Sequence, residues 1–287
     1  MKAVCTALGV ARSNVMARMA RSDEWQDRRR SPPRADDREV LAEIEQAAAG
    51  LPSYGYRRIW AVIRNRRASE TKPAINAKRV YRMMRDHSLL LWRRGQRPVD
   101  NRRHDGKIAV SESNIRWCSD GFEVACDNGE RVRVAFALDC CDREAMSWIA
   151  TTRGIDAQMV RDMMVEAVES RFGAVDQLPH PIEWLSDNGS CYTAHETRGF
   201  SRDLGLNPIT TPVASPQSNG MAESFVKTLK RDYAQFAYRA DAHAVFMQLP
   251  AWFEHYNDVH PHSALKYLSP RMFRKKKSEL TASACPV

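Results

Sequence analysis

The chain has 287 residues, of which 43% are hydrophobic, so it can bury one large core or two smaller ones. Its net charge of +9 is uneven: residues 1–110 hold 25 Lys and Arg against 12 Asp and Glu, whereas residues 111–287 hold 19 against 23. This favours a basic segment that binds a polyanion ahead of a nearly neutral core, although an ordinary solvated basic surface explains the charge about as well.

The seven cysteines contain no CxxC pair, which argues against a zinc finger and fits a reducing cytoplasm. The amino terminus has no apolar signal segment, and no apolar stretch reaches the length of a membrane span. We therefore expect a cytoplasmic protein that acts without a membrane.

The first 25 residues predict part of a helix-turn-helix. Residues 3–20 are typical of two short helices separated by a turn at Gly9, which is the second half of such a motif. Its first helix would precede Met1. Residues 26–38, with Pro32 and Pro33, predict a linker.

Residues 39–92 predict a small helical DNA-binding domain of three helices. In the third helix we expect Val80, Tyr81, Met83 and Met84 to face inward and the basic residues Lys78, Arg79, Arg82 and Arg85 to face outward. A basic, exposed last helix is typical of DNA readers, while a charged solvent face is the simpler alternative. Residues 93–110 are rich in Arg and Lys and predict a basic linker.

From residue 114 the pattern becomes one of strands. Two runs, 117–126 and 131–140, are joined by Asn128-Gly129, which strongly indicates a hairpin. The later elements predicted in chain order are a strand at 146–151, a helix at about 156–172, a strand at 182–186, a helix at about 194–204, a short strand near 207–210, a loop at 211–220 and a helix at 221–236.

This order predicts an α/β fold of the ribonuclease-H-like type, with a mixed five-stranded sheet and flanking helices. The core would occupy residues 111–275 together with a helical carboxyl-terminal tail. In this layout the first and fourth strands lie side by side, so residues far apart in sequence can meet.

Three carboxylates occur in well-framed phrases: Asp120 in the first strand, Asp187 after the fourth strand, and Glu223 in the last predicted helix. Carboxylates are hard oxygen ligands, and Mg²⁺ is commonly held by a few of them together with water and substrate phosphate oxygens. The trio therefore predicts a two-metal phosphoryl-transfer site.

The helix that contains Glu223 also has a basic stripe. Glu223, Lys227 and Lys230 follow one another at helical spacing beside an apolar stripe of the same helix. A DNA strand at the carboxylates would bring its phosphates within reach of both lysines. Taken alone, Glu223 and Lys227 are better explained as a simple surface ion pair.

Several phrases of the chain resemble a known family: Trp117…Asp120, Ser186-Asp187-Asn188-Gly189-Ser190, Ser215-Pro216…Asn219-Gly220…Glu223, Tyr256-Asn257…Pro261-His262-Ser263-Ala264-Leu265, Tyr54-Gly55-Tyr56-Arg57-Arg58 and Ala74-Ile75-Asn76-Ala77-Lys78-Arg79-Val80-Tyr81-Arg82. They look like the second-frame (OrfB) transposases of bacterial insertion sequences of family three, and most like insertion element two. These belong to the DDE transposase and retroviral integrase superfamily.

The resemblance implies that Asp120, Asp187 and Glu223 form the catalytic triad and hold two Mg²⁺ ions, with Mn²⁺ as a substitute. It also implies that Lys227 and Lys230 hold the element end. In the helical domain, the further candidates for DNA contact are Arg57, Arg58, Lys78, Arg79 and Arg82. The expected reaction is strand cleavage followed by attack of the freed 3′-hydroxyl on a second phosphodiester.

The resemblance also implies the partners. They are the terminal inverted repeats, target DNA, further copies of the chain on DNA, and an upstream-frame helix-turn-helix product joined by ribosomal slippage. The work would take place at the bacterial nucleoid. Cys118 and Ser119 before Asp120, and His260 before Pro261, depart modestly from the family pattern without removing a ligand.

Other assignments stay open at this level. His255, His260 and His262 could suggest zinc, although their spacing is not standard. Asp139 could be a ligand, but a turn cap suits it better. Cys140 or Cys141 would need a histidine partner to act as a nucleophile. The chain could also be a structure-specific nuclease of the same fold, or a DNA-binding regulator without catalysis.

Overall fold

The structure is a computed structural model that describes residues 2–22, 36–92, 110–173, 178–210 and 220–284. Most of the predicted linkers at 26–38 and 93–110, and nearly all of the loop at 211–220, lie outside the described residues. The chain divides into two compact units, Met1–Ala42 and Glu43–Val287.

The first unit contains helices α1 (Lys2–Ala7) and α2 (Arg12–Met19). Gly9 lies between them with a φ of +61°, a left-handed conformation that glycine adopts at little cost. The two short helices and the turn at Gly9 agree with the sequence prediction.

Helix α3 (Asp37–Gly50) leads into α4 (Tyr56–Ser69) and α5 (Ala77–Asp86). The Asn76 side chain caps α5 by accepting a hydrogen bond from the Lys78 backbone nitrogen at 2.8 Å. Arg67 of α4 is buried and makes a two-pronged ion pair with Glu43 of α3, at 2.8 and 3.0 Å. These contacts make residues 43–92 a packed helical segment.

A five-stranded mixed sheet follows, with strand order β3-β2-β1-β4-β5. Its strands are β1 (Arg116–Ala125), β2 (Arg131–Asp139), β3 (Ala145–Thr151), β4 (Ile182–Ser186) and β5 (Leu206–Thr210). The first three strands are antiparallel, and β4 pairs in parallel with both β1 and β5. The predicted ribonuclease-H-like sheet, with its first and fourth strands adjacent, is confirmed.

Helices cover both faces of the sheet. They are α6 (Ala157–Phe172), α7 (Ser190–Thr193), α8 (His195–Asp203), α9 (Gly220–Asp232), α10 (Ala242–Asp258) and α11 (Pro270–Ala284). One core packs α9 and α10 against Cys118 and Phe122 of β1, and the other packs α6 against Trp117 and Trp184. Alternate strand residues therefore point to different helices.

The turn between β2 and β3 surrounds a buried arginine. Arg171, near the end of α6, has a side chain only 2% exposed, and its guanidinium lies 2.8 Å from Asp142 and 2.7 Å from Glu144. Asp139 is the third carboxylate of the group, at 3.4 Å. Four buried charges thus join the end of α6 to this turn.

Candidate active site

Asp120 and Asp187 lie on neighbouring parallel strands at matching positions. The last β1–β4 pair is Cys118 with Leu185, and each aspartate is two residues further along its strand or just beyond its end. Because side chains alternate between faces, Asp120 and Asp187 share the face of Cys118 and Leu185, which both belong to the core beneath α9 and α10.

The third carboxylate, Glu223, belongs to α9, which covers this same face of the sheet. Its helix packs through Phe225 onto Phe136, with ring centroids 4.3 Å apart, and Phe136 is the residue paired with Asp120 across β1 and β2. Glu223 precedes Phe225 by two residues and lies at the edge of the buried stripe, with its side chain 40% exposed. The charge of Glu223 raises the pKa of Asp120, which indicates that the two carboxylates lie near each other.

Backbone hydrogen bonds fix both aspartates. Oδ1 of Asp120 accepts a bond from the Gly121 nitrogen at 2.7 Å, and Oδ1 of Asp187 accepts one from the Gly189 nitrogen at 3.0 Å. A Cβ atom at Gly189 would lie 3.0 Å from that same Asp187 oxygen. A side chain at position 189 would therefore crowd the Asp187 carboxylate, which must shift to make room for it.

Tyr192 joins the two aspartate segments, a role that the sequence analysis did not identify. Its buried hydroxyl shares a 2.7 Å hydrogen bond with the hydroxyl of Ser119, the residue before Asp120. Tyr192 itself follows Asp187 by five residues and is buried. The only signal in the sequence was the position of Ser119 and Tyr192 next to the aspartates.

The carboxylates repel one another. Burial raises the pKa of Asp120 above its ordinary value, and the negative charges of Asp187 and Glu223 raise it further, against the lowering effect of the Gly121 hydrogen bond. A divalent cation would relieve this repulsion, so the donor set suits Mg²⁺ in charge and in chemical type.

The three carboxylates are not placed as a complete set of metal ligands. Across the described ranges, no three His, Cys, Asp or Glu side chains lie close enough together to hold a metal ion as they stand. Oε2 of Glu223 lies 3.4 Å from Nζ of Lys227, which is the simple ion pair of the alternative interpretation. Metal binding would require Glu223 to exchange this lysine for the cation.

The predicted DNA-contacting residues fall into two groups. Lys227, Lys230, Lys78 and Arg57 are exposed, and Arg82 is half-buried. Two expectations for α5 are wrong: Arg79 is buried, with 9% of its surface exposed, and Tyr81 is exposed. Val80 and Met84 are buried as predicted, whereas Tyr81 lies at the surface against Tyr56 of α4, with centroids 4.9 Å apart.

Arg58 is also not placed as a surface contact. It is half-buried, and its guanidinium lies 2.6 Å from Asp232 of α9. Its predicted role in DNA binding is therefore not supported by its position, since the guanidinium is bound to the protein.

The structure does not support the other sites considered from the sequence, namely Asp139 as a ligand, a cysteine nucleophile and a histidine zinc site. Asp139 caps the turn after β2 by accepting hydrogen bonds from the nitrogens of Cys141 and Asp142 at 2.7 and 3.0 Å, as expected of a turn residue. A hydrogen bond to Cys140 and burial raise the pKa of the Cys118 thiol, and burial raises that of Cys141. Burial lowers the pKa of His260 and His262, which lie together as packed rings. Within the residues that the structure describes, these histidines form no cluster of three potential ligands that could hold zinc.

Comparison with protein families finds three matching segments. Residues 35–97 match an HTH-like domain, and residues 110–216 and 204–270 match integrase core domains. No helix in the described segments is both long enough and apolar enough to cross a membrane.

The chain is 53% identical over 276 residues to the transposase InsD for insertion element IS2A/D/F/H/I/K of Escherichia coli, covering 96% of this chain and 91% of that protein. Similarity to the InsD of element IS2-9 of E. coli strain K12 is also 53%, covering 96% and 89%.

Among solved structures, the chain is similar to the catalytic core domain of BIV integrase, at 18% identity and a TM-score of 0.41, over 59% of this chain and 99% of that one. It is also similar to the HTLV-2 integrase catalytic core domain in complex with magnesium, at 12% identity and a TM-score of 0.44, over 56% and 95%. By its relatives and its matching domains, the chain belongs to the IS2-type transposases of insertion-sequence family three, which are DDE polynucleotidyl transferases.

Proposed function

We propose that Asp120, Asp187 and Glu223 are the catalytic carboxylates with which this transposase cleaves and joins the DNA ends of its own element. The observation that carries the proposal is the placement of Asp120 and Asp187 at matching positions on β1 and just beyond β4, with α9, the helix of Glu223, packed on the same face through Phe225 and Phe136. Burial and the charges of Asp187 and Glu223 raise the pKa of Asp120, which supports a carboxylate set that a divalent cation would stabilise.

The three carboxylates would hold two Mg²⁺ ions, or Mn²⁺ in their place. When bound, the ions supply activation of a water or 3′-hydroxyl and neutralise charge on the leaving oxygen. Asp120 and Asp187 are held by backbone donors before any ion arrives, so little reorganisation is needed on the sheet. Glu223 gives up Lys227 when it turns to the site, which frees that lysine for a phosphate.

The DNA partners follow from the exposed cations. Lys227 and Lys230 lie along α9 beside Glu223 and would bind the strand at the cleaved end. Arg57, Lys78 and Arg82 of the helical segment would bind the terminal inverted repeat further in.

We assign the partial helix-turn-helix to residues 1–25, the DNA-binding helices to 39–92, the basic linker to 93–110 and the catalytic core to 111–275. The active form would be an oligomer on DNA, assembled with target DNA in the bacterial cytoplasm, with an upstream-frame product fused to the chain.

The direct test is Asp187→Asn, which removes a charge and keeps the shape. Purified wild-type and variant chains are incubated with Mg²⁺ and labelled oligonucleotides that contain the element end. We expect the variant to bind the oligonucleotide with unchanged affinity and to lose cleavage and joining by about a thousandfold or more, since removing groups that stabilise transition-state charge costs at least several kcal/mol.

A matched control is Asp203→Asn, because Asp203 is an exposed aspartate at the end of α8. It should cleave like the wild type. If Asp187→Asn still joins strands, the assignment of the trio is wrong. If the wild-type chain, and its fusion to the upstream product, bind ends without Mg²⁺-dependent cleavage, the regulator hypothesis replaces the catalytic one.

A further inference from the structure

Two sequence motifs outside the proposed catalytic site are in contact in the folded chain. Tyr54, just before α4, and His260, just after α10, share a buried hydrogen bond between the tyrosine hydroxyl and Nδ1 of the histidine. Their rings pack edge to face with centroids 5.4 Å apart. The start of α4 is thus anchored to the carboxyl-terminal part of the core.

Arg58 makes the charged contact of this junction. Its guanidinium donates to Asp232 at 2.6 Å and to the Ser53 carbonyl at 2.7 Å, and lies over the Tyr54 ring, 4.1 Å from the centroid. The Asp232 side chain is 1% exposed. A pair this buried, with further hydrogen bonds on both partners, holds one geometry much more firmly than a surface ion pair does.

A second set of contacts lies further along α4. Arg64 donates to the carbonyl oxygens of Lys266 and Tyr267 at 3.1 and 3.2 Å, and Asn65 donates to Tyr267 at 3.1 Å. Lys266 and Tyr267 have φ values of +56° and +63°, which residues other than glycine rarely adopt. Such a conformation persists where neighbouring contacts determine it, and α4 supplies those contacts here.

The DNA-facing helix is fixed to α4 in turn. The Trp60 indole nitrogen donates to the Ile75 carbonyl at 2.7 Å, just before α5, and Tyr56 packs on Tyr81 of α5. Lys78 and Arg82 of α5 are therefore held in position relative to the junction and not merely tethered to it.

Helix α9 connects this junction to the catalytic carboxylates. Glu223 lies in its first turn and Asp232 at its last residue. Nine residues of α-helix span about 13 Å. That length corresponds to roughly four base pairs of B-form DNA.

We propose that Arg58 is a positioning residue: it docks the helical segment 43–92 onto the end of α9 and so fixes the distance between the DNA that α5 holds and the phosphate that is cut. The inference rests on the proposed function. The helical segment and α9 then keep a fixed spacing. The phosphate that is cleaved is the one that lies at this distance from the subterminal repeat.

The test uses the full chain, and its upstream fusion where that is the active form, with end oligonucleotides in which zero to five base pairs are inserted between the repeat and the terminus. The position of cleavage is mapped at single-nucleotide resolution, and the protein's footprint is mapped on the same DNA. For the wild type, the cut should stay at a constant distance from the footprint, so that each inserted pair moves it by one pair.

Arg58→Ala should keep the footprint and spread the cut over several neighbouring phosphates. Cleavage at the native phosphate should fall roughly a hundredfold, because a displacement of about 1 Å at the reacting atoms costs that much. Asp232 keeps its contacts with Arg231 in this variant, so no buried carboxylate is left alone. Arg58→Lys, which retains the charge, should recover part of the precision.

Arg64→Ala tests the same junction without touching its ion pair and should broaden the cut as well. The matched control is Arg66→Ala, an exposed arginine of the same helix, which should cut as precisely as the wild type. If Arg58→Ala and Arg64→Ala both fold and cut at the single wild-type phosphate, the proposal is overturned. A wild-type chain that shows no Mg²⁺-dependent cleavage would instead count against the proposed function.

Discussion

Phe225 packs on Phe136 with ring centroids 4.3 Å apart, and this contact seats α9 on the strand pair that contains Asp120. Phe136 is paired with Asp120 across the β1–β2 ladder, and the charge of Glu223, in the first turn of α9, raises the pKa of Asp120. The apolar core beneath α9 therefore aligns a glutamate with two aspartates from separate strands. The packing of one aromatic pair thus contributes directly to the chemistry proposed for the site.

The first prediction concerns metal binding. Since Asp120, Asp187 and Glu223 repel one another, wild-type protein should gain stability when Mg²⁺ is added. At a free Mg²⁺ concentration one hundred times the Kd the gain is about 2.7 kcal/mol. Asp120→Asn should lose most of this gain, yet in EDTA it should be at least as stable as the wild type, because burial and two like charges already disfavour the ionised aspartate.

Thermal unfolding of both proteins, in EDTA and in a Mg²⁺ titration, measures this. Asp127→Asn is the control, since Asp127 is an exposed aspartate beyond the end of β1. An equal Mg²⁺ response from wild type and Asp120→Asn would show that the ion binds elsewhere.

The second prediction concerns the two lysines of α9. Lys227 has a side chain 76% exposed, and Lys230 is also exposed, so both are available to phosphates. Replacing both with alanine should weaken binding to any duplex by a similar factor and lower the slope of log affinity against log salt by about 0.9 for each lost phosphate contact.

Binding is measured by anisotropy over a range of salt concentrations, with end and unrelated duplexes. Arg153→Ala removes an exposed charge after β3, at the edge of the sheet, and should leave the slope unchanged. A double variant whose loss is confined to the end sequence would contradict a role in phosphate binding.

Local sequence patterns predicted the three carboxylates that we propose as catalytic, and they did so for a physical reason. Strand alternation, the Asn128-Gly129 hairpin and the helical spacing around Glu223 are properties of neighbouring residues, and each of them limits where a side chain can point. The parallel pairing of β1 with β4 then follows from the fold type. The sequence alone therefore predicts that Glu223 lies near Asp120.

The remaining features depend on contacts between residues far apart in sequence. Arg58 was expected on DNA because it is basic, but its partner Asp232 is 174 residues away. Arg79 was expected outside because helical spacing alone does not say how α5 is rotated against α4. The hydrogen bond between Ser119 and Tyr192 depends on strand β1 meeting helix α7, so no local pattern reveals it.

The third prediction concerns the buried arginine. Arg171 offsets the charges of Asp139, Asp142 and Glu144, all of which are buried. Arg171→Met should lower the free energy of unfolding by about 3–5 kcal/mol, because it removes the counter-charge of the buried Asp139 and Asp142. Glu144 keeps its ion pairs with Arg271 and Arg274 in this variant. Burial and Asp142 already raise the pKa of Asp139 against the lowering effect of Arg171, so loss of Arg171 raises it further.

The sign of the pH effect follows from that shift. A carboxyl whose pKa is raised in the folded state costs more stability as pH rises, so the deficit of Arg171→Met should be larger at neutral than at acidic pH. Urea unfolding at several pH values measures it. Arg202→Met, at an exposed arginine of α8, provides the comparison and should unfold like the wild type. A deficit that does not change with pH would mean that the loss is one of packing alone.

The last prediction concerns Asp232, which joins α9 to the helical segment. Burial would raise the pKa of Asp232, but hydrogen bonds from Arg231, Ser53 and Arg58 outweigh it and lower the pKa to about 2 from the ordinary 3.8. A carboxyl with a lowered pKa contributes stability above its ordinary value and loses it as pH falls towards the folded value. This contribution is about 2.5 kcal/mol at neutral pH and disappears between pH values of about 4 and 2. Asp232→Asn should therefore be less stable than the wild type at neutral pH, with the pH-dependent part of the difference vanishing in that acidic range. Denaturant unfolding from neutral pH downward tests this, and Asp203→Asn, at an exposed aspartate at the end of α8, should follow the wild-type curve. If the wild type and Asp232→Asn differ by a constant amount at every pH, Asp232 is not a charged member of the junction.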